Sequence, residues 1–296
     1  MQWLSDFWAA YGSLAGLAMV NAVFALACYA TLSTGVLSFA PVAFGAVGGI
    51  LAAQLVLHTT IPLALIVLCG GMAGLGFAML LAPALLRVEG HWTALATVAL
   101  VLVTRVVVRN VPALTGGDNG LTVTRPLSMA VPVVTLLCVM LGFRALHHSW
   151  YGIASRVVRD DPAVAAGLGI NIRQTRLIGF GVSGFAGGLA GVLLVLVQQF
   201  VSPDSFYVHV AFVMITGAVI GGSFHWLGPV LGAIAVTLLP ALTETLVPDS
   251  QDIGSGIALL LALVFLPRGL FDPRVVLLQL SLAQATRTRD PRYERR

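Results

Sequence analysis

The chain contains no lysine: all 16 of its basic residues are arginine. That absence excludes a Walker A phosphate loop, which needs a lysine for the β/γ-phosphates, and a Schiff-base nucleophile. Charge is scarce as well, at 9% of 296 residues, where a soluble domain carries about a quarter. Cysteine is limited to Cys28, Cys69 and Cys138, each inside an apolar run. An odd count at wide spacing points to neither a disulfide framework nor a zinc site. What remains is 58% hydrophobic, with mean hydropathy +0.96, so a soluble globular enzyme is excluded. A nucleic-acid binder would carry exposed basic stripes; here the chain between arginines is mostly apolar.

The composition predicts an all-α polytopic membrane protein. A spanning helix needs about 20 mostly apolar residues. On that scale the candidates are 12–32, 41–57, 61–82, 92–109, 127–147, 176–199, 208–226, 228–247 and 255–267, about nine with a range of eight to ten. The N-terminal segment has no basic residue and contains Asp6, unlike the n-region of a signal peptide, so the first span is expected to stay as an anchor. Trp3, Trp8 and Tyr11 suit an interfacial aromatic belt. Two Gly/Ser/Pro-interrupted stretches, 33–45 and 221–229, read either as broken helix lining a polar cavity or as tight turns. For 221–229 the turn is the preferred reading.

Arginine placement orients this arrangement. Alternating spans put 13 of the 16 arginines on one side: Arg87, five between 144 and 176, and seven after 267. By the positive-inside rule that side is the cytoplasm, giving N-terminus out and C-terminus in. Residues 1–273 form the transmembrane domain, with a cytoplasmic loop at 150–175, and 274–296 form a basic tail expected to be partly disordered and able to meet anionic lipid. Small residues four apart, as at Gly45/Gly49, Gly70/Gly74, Gly184/Gly188, Gly187/Gly191 and Gly217/Gly221, predict close helix crossings.

The loop carries the most information. Asp160 or Asp161 can cap a short helix, Pro162 suits its first turn, and Gly167 and Gly169 are expected to end it and redirect the chain. Such a helix, flanked by arginines, fits a groove on another protein; the plain alternative is a solvated connector. Arg156-Val-Val-Arg159 through Ala165-Ala-Gly-Leu-Gly-Ile-Asn171 resembles the EAA-type loop of ABC importer permeases, and in particular the permease family of branched-chain amino acid and urea importers. Further stretches resemble that family's segments in the same order: Arg87 to Thr97, Thr115 to Leu121, Ser202-Pro-Asp-Ser-Phe206, Gly221 to Ala233 and Leu266 to Phe271. The likeness covers roughly 15–272. This chain departs from the pattern at Pro162 and Ala166, where relatives carry acidic residues, at Phe224 in place of a glycine, at His91-Trp92 in place of Asp-Tyr, and in a less polar 35–45.

The resemblance implies a permease subunit of an ATP-binding-cassette importer moving branched-chain amino acids or a similar small polar solute. It implies as partners a second homologous permease subunit, two cytoplasmic ATPase subunits that carry the ATP and Mg, and a periplasmic or extracellular solute-binding protein. The location it implies is a bacterial inner membrane. It implies no catalytic residue, cofactor or metal in this chain. Arg156, Arg159, Asp160, Asp161, Ala165, Gly167, Gly169, Ile170 and Asn171 would form the ATPase-coupling element, the arginines making contacts with the ATPase. From their position in spans, Asn21, Gln54, Gln198, Gln199 and His209 are candidates to line a solute path or to make interhelical hydrogen bonds. Arg105 and Arg109 either attract a substrate carboxylate or snorkel to the interface, and His147-His148 read as interfacial. The rival readings are a permease for urea, an amide or a sugar, and an ion-coupled secondary transporter. The latter would want a mid-span acidic residue, and Glu244 lies near a span end.

Overall fold

The computed structural model describes residues 2–88, 90, 92–125, 129–222 and 225–246. The predicted span 255–267, the tail 274–296, His91 and Phe224 lie outside them. Long apolar stretches satisfy their backbone polar groups internally and so become helices: α1 Gln2–Leu32, α2 Ala40–His58, α3 Leu63–Leu85, α4 Trp92–Asn110, α5 Pro112–Thr115, α6 Ala130–His148, α7 Trp150–Asp160, α8 Pro162–Gly167, α9 Ile172–Gln198, α10 Val208–Gly221 and α11 Leu227–Leu246, with α5, α7 and α8 as short joining helices. Two short strands, β1 Leu121–Thr122 and β2 Phe200–Val201, pair antiparallel at one end of the bundle.

Among the described residues seven helical segments are long and apolar enough to cross a membrane: Gly12–Leu32, Ala40–His58, Leu63–Leu85, Trp92–Asn110, Ala130–His148, Ile172–Gln198 and Pro203–Gly221. They coincide within a few residues with the first seven predicted spans. The eighth corresponds to α11, whose shorter apolar part is Leu227–Leu238. Two boundaries move further: α10 ends at Gly221, not 226, and α9 begins at Ile172, not 176. Hydropathy stops at Arg176, but Asn171 caps the helix a turn earlier, its Oδ1 accepting from the Gln174 N–H at 3.0 Å. At 27 residues α9 is about 40 Å long, against a hydrocarbon core of about 30 Å, so it is longer than an upright span requires.

The core is built around α9, which is enclosed by α1, α2 and α3. Glycine makes this possible. A Cβ at Gly48 would lie 2.7 Å from the Gly188 carbonyl oxygen and 2.8 Å from that of Gly70, so α2, α3 and α9 meet backbone to backbone. Gly45 faces the Gly187 carbonyl, Gly74 lies against Gly184 and Gly188, and Gly191 against Gly45. Gly217 and Gly221 of α10 likewise meet Ala233 and Gly228 of α11. The five glycine pairs read from the sequence therefore sit in the seams, where small side chains bring helices into van der Waals contact.

The interrupted stretch 33–45 is a turn, not a broken helix. Hydroxyls of Thr31, Ser33 and Thr34 bond back to carbonyls three residues earlier, at 2.7–3.0 Å. The Phe39 N–H donates to Thr97 Oγ1 at 3.0 Å, which ties the start of α2 to α4. At the second stretch, α10 ends at Gly221 and α11 starts at Leu227, the turn reading again.

Candidate coupling site

The 144–176 region folds almost entirely as helix: the end of α6, then α7, α8 and the start of α9. α7 is amphipathic, burying Gly152, Ala154, Ser155 and Val158 while Trp150 and Ile153 face outward. Sequence reasoning does not separate it as a helix of its own. Its apolar positions at i, i+4 (Ala154, Val158) are the available signal.

α8 is a six-residue helix closed at both ends by its own chemistry. Asp161 Oδ1 accepts from the N–H groups of Ala163 at 2.7 Å and Val164 at 3.1 Å, while Pro162 takes the first helical position, where no N–H is needed. Of the two candidates, Asp161 is thus the cap; Asp160 instead accepts from Arg159 Nε at 3.0 Å. At the other end the Gly169 N–H bonds to the Ala166 carbonyl and the Ile170 N–H to that of Ala165, both at 3.0 Å. This is a Schellman closure, and Gly169 sits at its left-handed position with φ +76°. Gly167 is the last helical residue and has ordinary negative φ. Asn171 then opens α9, so the chain passes from one cap to the next in two residues.

The exposed surface of α8 consists of Pro162, Ala163, Val164, Ala166, Gly167, Leu168 and Gly169. Val164 is 52% and Leu168 68% exposed, and no neighbour lies within 4 Å of where a Cβ would stand on Gly167 or Gly169. Ala165, expected to help the helix fit a partner, is fully buried and fastens α8 to the bundle instead. Sequence reasoning does not single out Val164 and Leu168, although an apolar pair at i, i+4 in a polar loop marks them.

The two arginines are also placed otherwise than expected. Arg159 has only 14% of its side chain exposed, and its Cα lies 3.2 Å from where a Cβ of Gly35 would stand, so α7 rests on the turn between α1 and α2. Gly35 has φ +80° and makes that approach possible. Arg156 Nη1 lies 3.1 Å from His147 Nε2 at the end of α6. Both arginines thus engage the protein's own framework, a geometry in which they position the α7–α8 element rather than reach out from it. His147-His148 belong to this junction too: the His147 ring stands 5.4 Å from that of His225, in the turn between α10 and α11. Burial holds the His225 imidazole below its ordinary proton affinity, and His148 adds to the effect.

The polar residues proposed for a solute path do not converge on one space. Asn21 Nδ2 donates to Thr237 Oγ1 at 3.0 Å, linking α1 to α11. Gln54 Nε2 donates to the Leu114 carbonyl, linking α2 to α5. Gln198 and Gln199 are exposed at the end of α9, with Gln199 Nε2 3.4 Å from the Arg125 carbonyl, and His209 is exposed at the start of α10. Arg105 pairs with Asp204, its Nε 2.9 Å from Oδ1, and lies over the Tyr207 ring at 4.2 Å; Arg109 pairs with Asp118 at 2.7 Å. A groove of about 500 Å³ between α3, α6 and α9 is lined by Val67, Val139, Phe185 and other apolar side chains. Among the described residues no group of three metal-ligating side chains is assembled.

Fold and site together define a polytopic helical membrane protein that displays a capped, small-residue helix at one end of its bundle. Residues 10–266 match the family described as the branched-chain amino acid transport system permease component, and the chain belongs to that family. It is 25% identical over 236 residues to the high-affinity branched-chain amino acid transport system permease protein LivM of Escherichia coli (strain K12), covering 68% of this chain and 55% of that one. To LivM of Salmonella typhimurium it is 24% identical over 263 residues, 77% of this chain and 60% of that one. The probable branched-chain amino acid transport permease protein LivH of Methanocaldococcus jannaschii is 29% identical over 110 residues, 37% of this chain and 34% of that one. The chain thus spans little more than half the length of the LivM proteins it matches. No solved structure matches it.

Proposed function

We propose that this chain is the membrane-spanning permease subunit of an ATP-binding-cassette importer for branched-chain amino acids. A second homologous permease subunit completes the pathway, two ATPase subunits bind ATP and Mg and dock on 150–175, and a solute-binding protein delivers cargo to the opposite face. The location is a bacterial inner membrane, with the α8 end in the cytoplasm, the N-terminus out and the C-terminus in. The observation that carries this reading is α8 itself. Its caps hold a short helix of small residues with one side fastened by Ala165 and the other exposed, where Val164 and Leu168 form an apolar surface that an ATPase groove would cover. Closure of the ATPase dimer would move α8. Because α7 is fastened to the α1–α2 turn and to α6, the movement passes to the transmembrane helices.

The same geometry serves a permease for urea, an amide or a sugar. Competition of unlabelled solutes with leucine uptake separates these. An ion-coupled transporter would instead take up solute without ATP. Docking is tested by Val164→Asp and Leu168→Glu, which place a charge on the exposed face without touching the core. Both should insert normally yet lose ATPase co-purification and at least tenfold of uptake. Wild-type co-purification in both would sink the assignment.

A further inference from the structure

We propose that His147 is a positioning residue for energy coupling, the hydrogen-bond acceptor by which α6 holds the α7–α8 element in register; the proposal rests on the importer reading above. A guanidinium has five N–H donors and no acceptor, so at 3.1 Å between Arg156 Nη1 and His147 Nε2 the imidazole must supply the lone pair. His147 Nε2 therefore carries no proton in this arrangement. Protonating the ring removes the acceptor and sets a second cation against the guanidinium, turning a charge-assisted bond into repulsion.

The surroundings reinforce this requirement. His147 is faced by Arg156 from α7, by His225 from the α10–α11 turn with ring centroids 5.4 Å apart, and by His148 on its own helix at 5.5 Å. Tyr29 of α1 and Tyr151 of α7 line the same small cavity, and α9 contributes the uncharged Val182. Among the described residues no carboxylate lines that cavity to balance an imidazolium. The bond also sits at a mechanical corner: Gly152 of α7 packs against the His147 and Leu146 carbonyls, so the two helices touch in backbone there and the side-chain bond sets their angle. The contact is thus a latch between a transmembrane helix and the element that carries α8, and it closes only on a neutral histidine.

The test uses the complete transporter in proteoliposomes, with solute taken up per ATP hydrolysed as readout, and three variants. Gln supplies a neutral side-chain acceptor, so His147→Gln should keep the ratio within twofold of wild type. His147→Leu lacks an acceptor and His147→Lys carries a permanent cation; both should lower the ratio at least fivefold while complex yield and Tm stay near wild type. Arg156→Met, which keeps the length and has no donor, should lower it similarly, and combining it with His147→Leu should add nothing further, since both remove one bond. A wild-type ratio in His147→Leu or His147→Lys overturns the proposal, as does a His147→Gln variant no better than His147→Leu. Parallel loss of yield and Tm in all three variants also overturns it, because the site would then only support packing. Failure of the wild-type chain to bind an ATPase would instead strike the importer reading.

Discussion

At Gly188 a missing side chain matters more than most side chains present. A Cβ there would stand 3.1 Å from the Cα atoms of Gly71 and Gly74 and closer still to the Gly70 carbonyl oxygen. Backbone cannot rotate aside as a side chain can, so relief requires separating α3 from α9. Overpacking a core usually costs ~1–3 kcal/mol, and this site belongs at or above the upper end. Gly188→Val should therefore lower the Tm in detergent by many degrees and cut the folded yield, while Gly76→Ala, with nothing within 4 Å, should leave both unchanged or slightly improved. Equal melting temperatures for the two variants would show that the glycine seam does not hold the bundle. Asp161 gives a second residue-scale prediction. Asp161→Ala leaves two N–H groups of α8 without their acceptor, a loss of ~1 kcal/mol that a six-residue helix has few other contacts to offset. Uptake should fall severalfold, and Asp161→Asn, which can still accept, should restore most of it. Both features are legible in one dimension, because spaced glycines and an Asp-Pro pair carry their meaning in chemistry and interval alone.

Among the elements, the long helices are legible for a simple reason. An apolar run of spanning length has one fate in lipid, since its backbone must bond to itself. The short elements obey weaker rules. α7 carries a local signal in its apolar positions Ala154 and Val158, but its packing partners, the corner with α6 and the α1–α2 turn, are set by tertiary contacts. Hydropathy places the start of α9 at Arg176 because it sees where the membrane begins, whereas the helix begins where Asn171 caps it. The 33–45 stretch is open to two readings in one dimension; the bond from the Phe39 N–H to Thr97, 58 positions away, decides between them. In the coupling element the caps and the terminating glycine are readable from residue type, but which side chains point outward is not. Arg156 and Arg159 look like surface groups in a sequence; the fold uses both internally and leaves the exposed face to Val164 and Leu168.

For the molecule as a whole, arginine is biased to one end. Arg87, Arg144, Arg156, Arg159, Arg173 and Arg176 lie at the α8 end with Asp160 and Asp161, whereas Arg105, Arg109 and Arg125 lie with Asp118 and Asp204 at the end where β1 pairs with β2. If the positive-inside rule orients the chain, Asp118→Cys should react with a membrane-impermeant maleimide in intact spheroplasts, and Asp160→Cys only after lysis. The opposite pattern would invert the topology. Composition, hydropathy and arginine spacing by themselves determined that this is a polytopic helical membrane protein, roughly where its spans lie, and which end carries the basic loop. Bilayer energetics act on each segment separately, so a one-dimensional reading suffices for them. Only the tertiary structure decided that Asn21 and Gln54 bond to Thr237 and to the Leu114 carbonyl, that Ala165 anchors α8, and that His147 accepts from Arg156. Those outcomes depend on which helix faces which, and that is settled by close packing of glycine seams in three dimensions.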